Sequence, residues 1–106
     1  MPENSRLEAV ANLLIKYPDR IPAYVNFPEE YTEMKHKYLI PKDYTVGEFS
    51  QYMRNRLKIS ETKGMLIFIN RSLLPVMSDT MAYVYQNNKD PQGMLQISIQ
   101  IENTFG

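Results

Sequence analysis

The chain contains no cysteine, so its fold uses no disulfide and it has no thiol for catalysis. Histidine occurs once, at His36 between two lysines, whereas a catalytic histidine needs a nucleophile and an orienting acid around it. The few glycines form no phosphate-binding loop, and the carboxylates suggest no acid/base pair. These absences disfavour a small hydrolase and predict a protein that is not an enzyme and that holds no cofactor and no metal.

Long apolar runs are also missing, and none approaches the roughly 20 residues of a membrane-spanning helix. The first residues lack the basic start and apolar centre of a signal peptide. Membrane association must then come from a surface patch, a partner or a covalent lipid. The formal net charge is zero, which disfavours a general nucleic-acid binder. A length of 106 residues predicts one domain.

Two helix starts are marked by capping boxes. Ser5 with Glu8 predicts a helix over residues 5–16, and Thr45 with Glu48 predicts one that ends near Leu57. The expected buried face of the first is Leu7, Val10, Ala11 and Leu14, and that of the second is Val46, Phe49, Met53 and Leu57. Ser78 and Asp79 are expected to start a third, short helix.

Strands are predicted at residues 20–27, 35–41, 65–69 and 95–101, from alternation of apolar and polar residues or from a continuous apolar run. Pro22 indicates that the first strand is an edge, or that the proline lies at the strand's start. A helix between the second and third strands must cross one face of the sheet. The order predicts an α+β fold of the β-grasp type, with a four-stranded mixed sheet and one main crossing helix.

Five segments in register carry a resemblance to a known family. They are Arg20-Ile21-Pro22, Lys37-Tyr38-Leu39-Ile40-Pro41, Thr45-Val46-Gly47-Glu48-Phe49, Leu66-Ile67-Phe68-Ile69-Asn70 and Glu102-Asn103-Thr104-Phe105-Gly106. From about Leu13 to Gly106 the chain resembles the GABARAP-type autophagy-related ubiquitin-like modifiers. The resemblance implies one ubiquitin-like domain over residues 1–106: a shortened N-terminal helical extension at 1–17, a β-grasp core at 18–101 and a conjugation tail at 102–106.

The resemblance also implies conjugation of Gly106 to phosphatidylethanolamine, with Phe105 and Thr104 in the tail. A terminal glycine has no side chain, so an enzyme channel can admit its carboxylate closely. The implied partners are activating and conjugating enzymes, a deconjugating cysteine protease and a phosphatidylethanolamine membrane. The expected location is the cytoplasm, and the autophagosomal membrane after lipidation, with a monomer before conjugation. Whether a trailing segment is first removed stays open.

A groove for cargo receptors with aromatic–x–x–aliphatic motifs is implied as well, on the open edge of the strand Lys37–Pro41. Its aromatic pocket would be Leu13, Pro22, Tyr24, Lys37, Leu39 and Met94. Its aliphatic pocket would be Tyr38, Ile40, Pro41, Tyr44, Phe49 and Tyr52. Acidic residues of the ligand would meet Arg20, Lys35, His36, Lys37 and Arg56. A second partner surface would be Met65, Leu66, Ile67 and Phe68.

Several positions depart from the family pattern. Ala9 stands where an acidic pocket residue is usual, Tyr24 replaces a smaller aliphatic residue and Met94 replaces an aromatic one. With the shorter N-terminus, these departures leave an alternative open: a ubiquitin-like peptide-binding adaptor that is not efficiently lipidated. The basic run from Lys35 to Lys42 has two further interpretations, nucleic-acid contact and a solvated edge that resists strand pairing. The family resemblance favours peptide docking.

Overall fold

A computed structural model describes residues 2–103 of the chain and the side chains of residues 7–102. The elements are α1 (Pro2–Lys16), β1 (Arg20–Asn26), β2 (Lys37–Pro41), α2 (Val46–Leu57), β3 (Lys63–Ile69), α3 (Met81–Asn88) and β4 (Leu95–Asn103). Their order matches the predicted order of helices and strands. None of the described helices is long and apolar enough to cross a membrane.

The four strands form one mixed sheet in the order β2-β1-β4-β3. β1 runs antiparallel to β2 and parallel to β4, while β3 runs antiparallel to β4. The edges of the sheet are therefore β2 and β3. This arrangement is the predicted four-stranded mixed sheet of the β-grasp type, so the fold class is confirmed.

The core lies between α2 and one face of this sheet. In β1, Ala23 and Val25 are fully buried, and their alternate neighbours point to the opposite face. The apolar stripe of α2 is buried as predicted, with Met53 at its centre. The other main contributors are Ile21, Ile40, Ile67, Ile69, Met81, Val84, Leu95, Ile97 and Ile99.

The capping box of α2 is confirmed in both directions. The Glu48 backbone N–H donates to Thr45 Oγ1 at 3.1 Å, and the Thr45 backbone N–H donates to Glu48 Oε1 at 2.9 Å. Helix α3 begins later than expected, at Met81, because Thr80 rather than Ser78 caps it. The carbonyl of Asp79 is engaged elsewhere, since it accepts from the Val46 N–H at the start of α2.

Helix α1 differs from its prediction at its start and on its buried face. It begins at Pro2, so Ser5 lies within the helix; a proline fits the first helical position, where no N–H is needed. Val10 is buried, but Leu7 is 44% exposed and Ala11 is exposed. The reason is that α1 packs on the turn before β4 through Val10, and Gly93 in that turn has no side chain that would prevent this close contact.

β1 is an inner strand, so of the two interpretations of Pro22 the edge is wrong, and a place near the start of the strand is the one that agrees with the structure, since Pro22 is the third residue of β1. Pairing with β4 begins only at Ala23, and the Val25 N–H donates toward β2. By alternation, Pro22 faces the β4 side, one residue before that pairing starts, so its missing N–H breaks no ladder bond. At the other end of the sheet, β4 continues to Asn103 and includes the first two residues of the predicted tail.

We predict that Gly93→Ala destabilises the fold by about 1–3 kcal/mol. Gly93 has φ +87°, and an added Cβ would lie 2.9 Å from Val10 Cγ1. Gly47→Ala is the matched control, because its nearest neighbour would be the Met77 carbonyl oxygen at 3.4 Å. Urea denaturation of the three proteins measures the difference. Equal losses in both variants would contradict the described packing of α1 on the turn.

Candidate functional site

A cleft of about 830 Å³ runs around the open edge of β2. Side chains from α1 and the outer sheet face form one wall, and Tyr52 and Arg56 of α2 form the other. The remaining lining residues are Ala9, Val10, Leu13, Pro22, Tyr24, Lys35, Lys37, Tyr38, Leu39, Gln92, Met94 and Gln96. The cleft is therefore built by five parts of the chain that are distant in sequence.

All six residues assigned by resemblance to an aromatic pocket line this cleft. Sheet register explains four of them: Pro22 lies opposite Leu39, and Tyr24 lies opposite Lys37. Because side chains alternate along a strand, these four share the face that looks toward α1. Leu13 of α1 and Met94, just before β4, complete the set. The structure thus brings these six side chains together; their part in binding stays a prediction.

The predicted aliphatic pocket is only partly assembled. Ile40 and Phe49 are 4% and 2% exposed, pack in the core and do not line this cleft, so their part in an aliphatic pocket stays a prediction. Alternation turns Ile40 toward α2, and Phe49 lies on the buried stripe of that helix. Tyr38 and Tyr52 do line the cleft. Pro41 and Tyr44 lie outside it, half-buried and 36% exposed respectively.

β2 presents an unpaired backbone edge along the cleft. Its register with β1, and the 2.8 Å bond from the Val25 N–H to the His36 carbonyl, place the inward hydrogen bonds at alternate residues. The N–H groups of Lys37 and Leu39 therefore point away from the sheet. The Leu39 carbonyl also points outward and accepts from Arg20 Nη1 at 3.3 Å. A strand-like ligand would find donors at two positions of this edge.

The charges at the cleft are of one sign. Lys35, Lys37 and Arg56 line it, and none of its described lining residues is acidic. Lys35 Nζ lies 6.0 Å from the centre of the Tyr38 ring, which holds a positive charge over the cleft wall. Arg20 does not line the cleft, since its guanidinium bonds the Leu39 carbonyl. In a chain of zero net charge, this is a local concentration of positive charge.

His36 has a structural partner on each side. Its Nδ1 donates to the Val25 carbonyl at 2.8 Å, and its ring stacks on Tyr24 with 5.1 Å between ring centres. Phe27 approaches the same ring at 6.1 Å. Among the described residues no group of three or more His, Cys, Asp or Glu could hold a metal ion. His36 therefore fixes the orientation of Tyr24, a role that its position in the sequence does not reveal.

The turn before β4 positions one side of the cleft, a role that sequence reasoning did not assign to it. Asp90 Oδ1 accepts from the Gln92 and Met94 N–H groups, both at 2.9 Å. The Tyr85 hydroxyl donates to the Gly93 carbonyl at 2.7 Å. Burial, and then the charge of Asp90, raise the pKa of the Tyr85 phenol above its ordinary value of 10.0. These contacts hold Met94 beside the β1 residues of the cleft.

The sequence of this chain is similar to those of autophagy-related proteins. The family described as "Autophagy protein Atg8 ubiquitin like" matches residues 5–106. The chain belongs to the Atg8 family. It is 44% identical to Autophagy-related protein 8e of Arabidopsis thaliana over 86% of this chain and 76% of that protein. It is 39% identical to Autophagy-related protein 8d of the same plant, over 99% and 89% of the two chains.

A solved structure agrees with the fold of this Atg8-family chain. The crystal structure of Trypanosoma brucei ATG8 superimposes with a TM-score of 0.79 at 30% identity, over 98% of this chain and 91% of that one. The resemblance to autophagy-related ubiquitin-like modifiers is thereby confirmed. The protein is a ubiquitin-like autophagy protein of the Atg8 family.

The second surface predicted by resemblance lies on the opposite edge strand, β3. Leu66 and Phe68 are half-buried on the outer face, but Ile67 is 2% exposed and Met65 packs against the core. On this face β3 therefore presents two apolar side chains, those of Leu66 and Phe68. Near the end of β4, a smaller cleft of about 310 Å³ is lined partly by Lys63 and by the segment 99–101. The predicted tail residues Thr104, Phe105 and Gly106 lie outside the described residues.

We predict that the stability of the protein falls above pH 10 and that Tyr85→Phe flattens this fall. The folded state keeps the phenol proton after the unfolded chain has lost it, because the folded pKa is the raised one. The contribution of the Tyr85 phenol to the free energy of unfolding is fully present below pH 10 and is lost as the pH rises through the pKa of the folded state. Urea midpoints between pH 8 and pH 11 measure the slope.

Tyr83→Phe is the matched control for Tyr85→Phe, since Tyr83 lies two positions earlier on the same helix and is 59% exposed. This variant should keep the wild-type slope. If both variants show that slope, the bond from Tyr85 to the turn plays no part in the alkaline loss.

Proposed function

We propose that this Atg8-family protein is a modifier joined through Gly106 to phosphatidylethanolamine and that it holds aromatic–x–x–aliphatic peptides in the cleft beside β2. Peptide binding is supported by one observation: all six residues of the predicted aromatic pocket line one cleft beside the open edge of β2. An apolar recess and unpaired backbone donors are what an extended peptide with one large side chain needs.

Addition of a strand to β2 explains how such a peptide is held. Its carbonyl groups accept from the outward N–H groups of Lys37 and Leu39, which water otherwise solvates. Its alternate side chains point to opposite faces, so the aromatic residue enters the recess between α1 and β1. The aliphatic residue lies toward α2, where Tyr38 and Tyr52 line the cleft.

The basic residues of the cleft favour peptides with acidic residues beside the motif. Lys35, Lys37 and Arg56 line the cleft without an acidic partner among its described lining residues. Acidic residues that flank the motif would therefore be attracted, with most of the effect on the association rate, and less of it at high salt. Nucleic acid is the weaker candidate, because the cleft offers a recess for a side chain and the net charge of the chain is zero.

Conjugation is supported by membership of the Atg8 family and by the resemblance of Glu102-Asn103-Thr104-Phe105-Gly106 to the family's conjugation tail. The Gly106 carboxylate would form an amide with the amine of phosphatidylethanolamine, with loss of water that is coupled to ATP use by the activating and conjugating enzymes. The protein supplies the acyl group and those enzymes supply the chemistry, so it is itself no enzyme. A cysteine protease would reverse the step. Two lipid chains attach a protein stably, where one would not, which assigns the conjugate to the autophagosomal membrane and the free form to the cytoplasm.

We predict that Leu39→Ala weakens binding of an acidic aromatic–x–x–aliphatic peptide by about 1–3 kcal/mol, because Leu39 loses its side-chain contact with the aromatic ring. Leu66→Ala, in the opposite edge strand, is the matched control and should leave the affinity unchanged. Calorimetric titration measures both. Ile40→Ala is unsuitable for this purpose, since Ile40 is a core residue. The same loss in both variants, or none in either, would place the groove elsewhere.

We predict that Gly106 is conjugated in a reconstituted reaction with the family's activating and conjugating enzymes, ATP and liposomes that contain phosphatidylethanolamine. Mass spectrometry should find a lipid adduct on Gly106, and a chain lacking Gly106 should give none. A related Atg8 protein in the same assay is the positive control. Peptide binding without any adduct would support the alternative, an adaptor that is not efficiently lipidated.

A further inference from the structure

Gln96 occupies a place in the cleft that the family resemblance did not assign. It is the second residue of β4 and lies directly opposite Tyr24 in the parallel pairing of β4 with β1. Its half-buried side chain lines the cleft together with Tyr24 and Met94. Ala9 lines the same cleft from α1 and brings only a methyl group. Polarity on this wall therefore comes from the sheet rather than from the helix.

The amide of Gln96 is oriented by Asp90. Gln96 Nε2 donates to Asp90 Oδ2 at 2.9 Å, while Asp90 Oδ1 accepts the two backbone N–H groups of the turn. Both carboxylate oxygens of Asp90 act as acceptors in these bonds, so the end of the Gln96 amide that faces Asp90 is its NH₂ group. One of the two N–H groups on Gln96 Nε2 is used by Asp90, which fixes the orientation of the amide, and the Gln96 Oε1 is left to accept a hydrogen bond.

A fixed acceptor at this place contrasts with its charged neighbours. Lys35, Lys37 and Arg56 can only donate hydrogen bonds, so they offer nothing to a donor that enters the cleft. An aromatic side chain with an N–H or O–H group can give its hydrogen to Gln96 Oε1. A phenylalanine ring in the same place removes water from that oxygen and returns no hydrogen bond, which costs binding energy.

We propose that Gln96, held by Asp90, is a specificity-determining residue that makes the aromatic pocket prefer side chains with a hydrogen-bond donor, tyrosine or tryptophan, over phenylalanine. The inference rests on the proposed peptide-binding function and adds the chemical class of the first motif residue. It assigns to β4 a hydrogen-bond acceptor that the methyl side chain of Ala9, on α1, cannot provide.

The test uses peptides that differ only in the donor. One pair carries tyrosine or phenylalanine at the first motif position, and the other carries tryptophan or 3-benzothienylalanine, in which sulfur replaces the indole N–H. Calorimetric titration of the full chain gives four dissociation constants. The donor should improve affinity by roughly fivefold in at least one pair, the size of one net hydrogen bond.

Two variants then assign the preference to its residue. Gln96→Met keeps the length of the side chain but has no acceptor oxygen of comparable strength, so the fivefold ratio should fall to about one. Gln100→Met, on the same strand and face but outside this cleft, should keep the wild-type ratio. Thermal unfolding and the affinity for the phenylalanine peptide show whether Gln96→Met retains its fold and pocket.

Each outcome has a defined meaning. A wild-type donor preference that is lost in Gln96→Met and kept in Gln100→Met supports the proposal. Equal affinities within both wild-type pairs, or a preference that survives in Gln96→Met, would overturn it and leave the peptide-binding function intact. Absence of binding for all four peptides would overturn the function together with the inference.

Discussion

Strand β1 is hydrogen-bonded on both sides, to β2 and to β4, and its register decides what each face of the sheet presents. Ile21, Ala23 and Val25 enter the core, and the alternate residues Pro22 and Tyr24 enter the cleft. A slip by one residue would exchange the two sets and place a proline and a tyrosine in the core. Core and cleft therefore depend on the same pairing, and β2 is an edge because none of the other described strands pairs with its outer side.

Helix α1 packs against the turn before β4 through the side chain of Val10. Val10 can approach the turn closely because Gly93 has no side chain. The Tyr85 hydroxyl of α3 donates a hydrogen bond to the Gly93 carbonyl of the same turn. Asp90 organises the same turn and orients Gln96. One wall of the cleft thus derives from contacts between the turn, α1 and α3.

Local sequence signals predicted much of the fold. The capping box at Thr45 and Glu48, the buried stripe of α2 and the alternation in β4 act over a few residues, and the structure shows all three. The start of α1 was missed because a capping box at Ser5 competes with a proline that fits the first helical turn. The choice between the two interpretations of Pro22, an edge or the start of a strand, depends on where β4 begins to pair, which is not a local property.

The cleft was predictable only in part. Resemblance assigned six residues that the structure does bring together, but it also included Ile40 and Phe49, whose side chains the core takes up. The position of Gln96 could not be inferred from sequence, because it depends on parallel pairing with a strand about 70 residues earlier and on a bond to Asp90. The stack of His36 on Tyr24 has the same origin, since it requires the register of β1 with the segment before β2.

An NMR titration of the ¹⁵N-labelled chain with an acidic aromatic–x–x–aliphatic peptide shows directly whether the peptide binds at the open edge of β2. We expect the largest amide shifts at Lys37 and Leu39, whose N–H groups face outward from β2, with smaller shifts at Tyr24 and Gln96. Shifts concentrated at Leu66 and Phe68 on β3, with β2 unchanged, would contradict binding at that edge.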